Sequence, residues 1–398
     1  MTHDNKFGMF IHWGLYAVTA IQEQVFARMD MSREEYESLI HTFNPTAYDP
    51  EQWVLLAKEA GMQYICFTAK HHDGFCMWDS KHTEYKITNT PYGKDVLRML
   101  ADACTKHGMR LSLYYSNPDW HHPYGYNPAS SHQWKAHVRD DVDTEAYRAY
   151  IKAQVTELLS DYGPIYTFYW DIPPRIKDPT LNELVRSLQP GIFINDRGFD
   201  TGDFSTPERE YKAADGGFFT RMTEACNSVG VQSWGYRENE DFYSIRHLTY
   251  AIHRNMVKGG SYLLNVGPTG EGVITEAYAS RVRRVGDWYR RMEGCLECAE
   301  PDDFRYDVKP DPCIATKKNG KTYFHFCEGL RSSAIALKYF PKVPRLVRLL
   351  NTGEQLNAAI APLPEYVSSC GKAMTFLHIT GIPIDDLENE PIVIEIDW

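Results

Sequence analysis

Short apolar runs alternate with helix-spaced stretches along most of the chain. The runs "GMFIHWG", "YICFTAK", "RLSLYYS", "IYTFYWD", "IFINDRG", "QSWGY" and "SYLLNVG" each read as a strand. Between them lie amphipathic segments with clear punctuation. In "DPEQWVLLAKEAG", Asp49 can cap a helix, Pro50 suits its first turn and Gly61 stops it. "KDVLRMLADACTKHG" ends in the same way on Gly108, "TEAYRAYIKAQVTELLSDYG" on Gly163 and "SIRHLTYAIHRNMVKGG" on Gly259. Strands that alternate with helices imply a parallel sheet. Seven to eight such units over about 300 residues suit a (β/α)8-like TIM barrel better than an open doubly wound sheet. No GxGxxG follows the first strand, so the dinucleotide-binding version of an open sheet has no support.

The pattern changes near residue 300. "TEAYASRVRRVGDWYRRMEG" reads as the helix that closes the barrel. Beyond it come only short alternating stretches, among them "CIATKKNGKTYFHFCEG", "RLVRLLNTG", "MTFLHIT" and "PIVIEIDW". Asn319-Gly320 between two such runs signals a hairpin. The expected organisation is a catalytic barrel over 1–300 and a C-terminal antiparallel β-sandwich over 301–398, packed rigidly together.

Polar and aromatic residues collect at the C-terminal ends of the expected strands. They are His12 and Trp13; Lys70, His71, His72 and Asp73; Tyr114, Tyr115, Ser116, Asn117, Asp119 and Trp120; Trp170 and Asp171; Asn195, Asp196 and Arg197; and Trp234 with Tyr236. Barrel enzymes build their active sites at that end, from several strands at once. Adjacent His71 and His72 cannot face the same side of a strand. They can share a site only where the strand ends and the chain turns, a turn that Asp73 and Gly74 would shape.

Composition narrows the chemistry. A net charge of −11, with no basic run, argues against nucleic acid as a partner. No apolar stretch approaches the roughly 20 residues of a membrane span, and no leader-like start precedes the first strand. Nine scattered cysteines, with "CLEC" (Cys295 and Cys298) the one CxxC, read as mostly free thiols in a reducing compartment. The expected location is therefore the cytoplasm, or the periplasm or exterior if a leader was removed. Aromatics at 13% suit the apolar faces of sugars, although core packing accounts for most of them.

Two reactions could use these strand ends. Metal-dependent hydrolysis would draw on His71, His72 and Asp73, but the other strand ends offer aromatics rather than further ligands. Glycoside hydrolysis needs two carboxyl groups about the anomeric carbon, with hydrogen-bonding and stacking side chains around them. Asp171, closing a rigid apolar strand, has the character of a nucleophile; a loop or helix-capping aspartate is the plainer alternative. Its partner would be a loop carboxyl. Glu208, Glu210, Glu224, Glu238, Glu240 and Asp241 are all candidates, and residue chemistry alone does not choose among them.

Several stretches taken together resemble one family. "KFGMFIHWGLYAV", "YICFTAKHHDGFCMWDSKHTEY", "DVLRMLADACTKHGMRLSLYYSNPDWHHP", "SWGY" and "GGSYLLNVGPTGEG", in that order, are similar to the α-L-fucosidases of glycoside hydrolase family 29. The likeness runs over roughly residues 5–295. It implies a retaining exo-glycosidase on a (β/α)8-like barrel with a C-terminal β-sandwich, needing no cofactor and no metal. It implies Asp171 as nucleophile, and His12, His71 and His72 as ligands of fucose hydroxyls. Tyr114 or Tyr115 would reach the sugar, Arg197 would lie beside the nucleophile and Trp234 would line the subsite. Trp120, at the third strand end, joins this substrate-binding set. For the acid/base the "TPE" context puts Glu208 first, Glu210 second and Glu224 third. The expected substrate is a fucosylated glycan or a small fucoside, with a homo-oligomer left open.

The chain also departs from the family. Where a Gly-Glu-Trp stretch is usual it reads "AIQEQVF", so Glu23 holds the glutamate's place and Gln24 stands where tryptophan is expected. Ile172 and Pro173 follow Asp171 where glycine is frequent. These changes leave a second reading, a non-catalytic or altered-specificity carbohydrate-binding relative.

Overall fold

The computed structural model describes residues 6–126, 131–138, 144–174, 177–209, 217–297, 300–302, 306–338 and 342–398. Seven parallel strands form one curled sheet. They are β1 (Phe7–Ile11), β2 (Tyr64–Lys70), β3 (Arg110–Ser116), β4 (Ile165–Asp171), β5 (Phe193–Ile194), β6 (Glu224–Ser228) and β7 (Ser261–Val266). Their order across the sheet is β5-β4-β3-β2-β1-β7-β6. Helices α1 (Pro50–Glu59), α2 (Val96–His107), α3 (Thr144–Asp161), α4 (Pro179–Leu188), α5 (Ile245–Met256) and α6 (Glu276–Leu296) connect or follow the strands.

The helices start and stop where their chemistry directs. The Asp49 carboxylate accepts from the Glu51 and Gln52 amides ahead of Pro50 at α1. Asp95 caps α2 through the Arg98 amide, and Gly108 ends it at φ 65°, a conformation glycine adopts without steric cost. Ser244 caps α5 through the His247 amide. Apolar faces from these helices pack on the outside of the sheet in one large core.

Two expectations need correction. Gln232–Tyr236 is not a strand: the Trp234 and Gly235 amides donate to the Glu23 carboxylate instead of a ladder. The sixth strand is Glu224–Ser228, whose polar sequence "EACNS" hides it from an apolar-run search although every residue is buried. Among the described residues the sheet has seven ladder-paired strands. Its outer strands β5 and β6 do not pair directly. Phe204–Glu208 runs between them, with parallel bridges from Asn195 to Phe204, Ser205 to Thr223 and Glu208 to Cys226.

Antiparallel strands follow α6. A five-stranded sheet has the order β13 (Leu346–Leu349), β16 (Ile392–Asp397), β11 (Lys321–Phe326), β10 (Ile314–Lys318), β8 (Glu300–Pro301). A four-stranded sheet has the order β14 (Asn357–Val367), β15 (Ala373–Thr380), β12 (Ala334–Lys338), β9 (Val308–Lys309). Asn319 and Gly320, both at positive φ, turn β10 into β11. Phe324, Ile394 and Val347 from one sheet and Leu377, Ile379 and Leu337 from the other share one apolar cluster. This part is joined to the α/β unit by buried contacts. His253 on α5 lies 3.0 Å from His325, and the Thr249 hydroxyl donates to the Asn389 carbonyl. Among the described residues, no helix is long and apolar enough to cross a membrane. The eight described cysteines are free thiols; Cys298 lies outside the described residues.

Candidate active site

Alternation along the strands decides which side chains look into the curl of the sheet. On β4, Tyr169 and Asp171 share the inner face, while Phe168 and Trp170 face outward; Trp170 donates to Asn182 on α4. On β3, Tyr114 faces in and Tyr115 out. Phe10, Tyr114, Tyr169 and Cys226 form an inner apolar cluster. The same four residues line a pocket at the C-terminal ends of the strands, with His12, Glu23, Gln24, His71, His72, His132, Asp171, Ile172, Arg197, Glu208 and Trp234. The pocket encloses about 110 Å³. That is room for roughly ten water-sized groups, the size of one sugar ring rather than a chain.

Asp171 is the centre of this pocket. Its Oδ2 accepts from the Tyr114 hydroxyl at 2.7 Å. Its Oδ1 lies 3.3 Å from Arg197 Nη2 and accepts no hydrogen bond. Burial alone would raise the Asp171 carboxyl; the Arg197 guanidinium, His72 and the Tyr114 hydroxyl outweigh it and hold it below the ordinary value. Arg197 also pairs with Glu208, so one guanidinium fork touches both carboxylates. Ile172, the next residue, sits at φ 58°. A β-branched residue in that region is strained. The strain falls where the chain must turn sharply away from the Asp171 carboxylate, and the Asn117 side chain donates to the Ile172 carbonyl there.

The histidines are oriented from behind. The Asn265 amide nitrogen donates to Ser228 Oγ and to the Trp234 carbonyl, which fixes its Oδ1 as an acceptor. His12 Nδ1, 2.7 Å away, must therefore carry the proton. In the same way the Ser116 hydroxyl donates to the Pro118 carbonyl, so its oxygen accepts from His72 Nδ1. Both rings are left with Nε2 as an acceptor, the right partner for a sugar hydroxyl. His72 Nε2 lies 3.9 Å from Asp171 Oδ2. Burial lowers His12 to about 4 and His72 to about 3, and holds His71 well below its ordinary value. His71 Nδ1 is buried without a partner. Gly74 makes this turn fit: it adopts φ 80°, and a Cβ there would fall 2.2 Å from Asp119 Oδ1. Gly74→Ala is expected to cost about 1–3 kcal/mol through the strained backbone alone. Urea denaturation checks this, and an unchanged midpoint would contradict it.

Glu23 holds the opposite wall. One of its oxygens accepts from the Ser233 hydroxyl and from the Trp234 and Gly235 amides. The Trp234 ring lies 5.3 Å from the His12 ring, with the Arg209 guanidinium over it.

Three expected residues lie elsewhere. Tyr115 faces the helices, where its hydroxyl donates to Gln154 and its ring underlies Lys70. Trp120 is fully buried behind His72 and donates to the His132 carbonyl, so it packs the wall without lining it. Glu224 begins β6, at the far end of the sheet from Asp171, and accepts from Tyr64 at 2.5 Å. Burial lifts it to about 7, but it cannot reach the pocket. Glu210 lies outside the described residues. The pocket also includes residues that sequence reasoning passed over. Tyr169 could have been found two positions before Asp171 by strand period. Loop residue His132 carried no signal. Among the described residues, no group of three or more His, Cys, Asp or Glu side chains is arranged to hold a metal ion.

These buried groups make stability depend on pH. His12, His71, His72, His253 and His325 are all lowered by burial, so between about pH 4 and 6.5 the unfolded chain binds protons there that the folded chain does not. Their contribution is full above pH 6.5 and lost as pH falls. Asp73, raised by burial to about 6, and Glu224 act in the opposite sense. The five histidines outnumber the two carboxyls. The unfolding free energy from urea denaturation, and with it the midpoint, is therefore expected to fall from pH 7 to pH 5, the free energy by about 1.4 kcal/mol per pH unit for each net proton. A midpoint that is flat or rises on acidification would contradict this balance.

Comparison with known proteins gives a consistent set. A sequence model of the α-L-fucosidase family matches residues 2–293. α-L-Fucosidase isoenzyme 1 from Paenibacillus thiaminolyticus is 31% identical, with a TM-score of 0.83 over 99% of this chain and 97% of that one. The Thermotoga maritima α-fucosidase, solved with a mechanism-based inhibitor, is 25% identical, with a TM-score of 0.77 over 100% of this chain and 96% of that one. Human plasma α-L-fucosidase is 26% identical over 88% of this chain and 81% of its own length.

Proposed function

Since the chain belongs to the α-L-fucosidase family, we propose that it is a retaining exo-α-L-fucosidase acting on terminal fucose of glycans or small fucosides. The observation that carries this reading is the pair of carboxylates, Asp171 and Glu208, held by one guanidinium in a pocket the size of a single sugar. Their shared contact favours the close spacing of about 5–5.5 Å that retention requires. The Asp171 carboxylate attacks the anomeric carbon. Glu208 protonates the departing oxygen, then takes a proton from the water that cleaves the glycosyl ester. Arg197 and Tyr114 keep Asp171 ionised for the attack. His12, His71 and His72 accept from sugar hydroxyls, and Trp234 covers an apolar face of the ring. The small pocket suits a terminal residue, hence exo action.

We read the curled sheet, with Phe204–Glu208 bridging its outer strands, as a (β/α)8-like barrel. The two antiparallel sheets after residue 300 are read as a β-sandwich domain.

Hydrolysis of 4-nitrophenyl α-L-fucoside, beside the corresponding galactoside and with a chelator present, tests the function. Preferential, chelator-insensitive release from the fucoside is expected. No turnover of the fucoside would overturn the reading in favour of a sugar-binding relative; chelator inhibition would favour a metal-dependent hydrolase.

A further inference from the structure

Eight large apolar side chains are exposed among the described residues, and three of them fall on two neighbouring segments: Met29, Trp134 and Val138. Trp134 is the one aromatic of the eight, and it is 54% exposed. The described residues beside it are anchored. The Lys135 ammonium, one residue on, donates to Asp30 at 2.9 Å and to the Met31 carbonyl at 3.0 Å, and the Lys135 carbonyl accepts from Arg33. Two residues before, the His132 carbonyl accepts from Trp120.

Trp134 is connected to the pocket by two routes. The His132 ring lies 4.7 Å from the Trp134 ring and itself lines the pocket. The Arg28 guanidinium lies 5.1 Å from the Trp134 ring centre, and its Nε donates to Gln24, another lining residue, at 3.1 Å. His132 adopts φ 59°, in the left-handed region that histidine enters more readily than most residues. Its charge environment includes both Asp171 and Glu208. Trp134 therefore sits next to His132, which lines the same pocket as Asp171 and Glu208.

We infer that Trp134, flanked by His132 and Arg28, is the platform that receives the leaving sugar. An exposed indole offers the apolar face on which a sugar ring stacks. Arg28, His132 and Gln24 supply the polar atoms that its hydroxyl or acetamido substituents need. This inference rests on the fucosidase reading and adds the residue that holds the leaving sugar.

The test compares wild type, Trp134→Ala and Trp134→Phe on α-L-fucosyl fluoride, which carries no leaving sugar, and on fucosyl-galactose and fucosyl-N-acetylglucosamine disaccharides. Trp134→Ala is expected to lower kcat/KM on the disaccharides by about tenfold, the size of a single aromatic stacking interaction. Most of that loss should appear in KM, and Trp134→Phe should recover most of it. On the fluoride Trp134→Ala should stay within about twofold of wild type, because the indole touches no atom of that substrate. Equal losses on both substrate types, no loss on the disaccharides, or a wild type that hydrolyses the fluoride but no disaccharide would each overturn the platform. A wild type that leaves the fluoride intact would instead overturn the fucosidase reading beneath it.

Discussion

Asp171→Ala is expected to lower kcat on 4-nitrophenyl α-L-fucoside by on the order of 10⁴–10⁶-fold, the scale of removing a catalytic nucleophile elsewhere. The geometry explains why no neighbour should substitute. Tyr114 and Arg197 both converge on this carboxylate, which lines the pocket. Removal leaves a space at the anomeric carbon on the face where Asp171 stood. Azide filling that space should restore turnover and yield β-fucosyl azide, because it attacks the α-fucoside with a single inversion. Residual activity above about a hundredth of wild type, or an azide product of the opposite configuration, would show that another group attacks.

Glu208→Ala is expected to discriminate between leaving groups. A disaccharide cannot depart without a proton, so its hydrolysis should fall by about 10²–10⁴-fold. An aryl or fluoride leaving group departs largely unaided, so formation of the glycosyl-enzyme should survive and its hydrolysis become slow. Azide should then accelerate turnover and give α-fucosyl azide, the product of two inversions. The structure shows Glu208 paired with Arg197 at the pocket mouth, with its side chain 41% exposed. A uniform loss on every substrate, with no azide product, would instead make Glu208 a structural partner of Arg197. The acid/base would then have to be another carboxyl.

Strand period made much of the site legible in advance. Asp171 closes "IYTFYWD", and a rigid alternating strand determines which way its last residue points. The helix caps at Asp49, Asp95 and Ser244 and the hairpin at Asn319-Gly320 were legible for similarly local reasons. What escaped depends on contacts between distant segments. Sequence reasoning left Tyr114 and Tyr115 unseparated, and the pleat separates them by sending one to Asp171 and the other to α3. Glu224 looked like a loop carboxyl because its strand is polar; only the burial of Asn227, Ser228 and Glu224 among neighbouring strands reveals β6. Trp120 stands at a strand end, yet its indole nitrogen is satisfied by the His132 carbonyl behind the wall. The change from glycine to Ile172 was visible as a departure, but its cost, a positive φ on a β-branched residue, appears only in the backbone.

The central claim is that Asp171 forms a covalent bond to the sugar. Incubation with 2-deoxy-2-fluoro-α-L-fucosyl fluoride tests it most directly. The ring fluorine slows formation and hydrolysis of the ester by destabilising their oxocarbenium-like transition states, while the fluoride leaving group keeps the first step accessible. Intact mass should rise by one 2-fluoro-fucosyl group, and peptide mapping should find that group on Asp171. A label on any other residue would contradict the account, as would inverted product released by active enzyme that never becomes labelled.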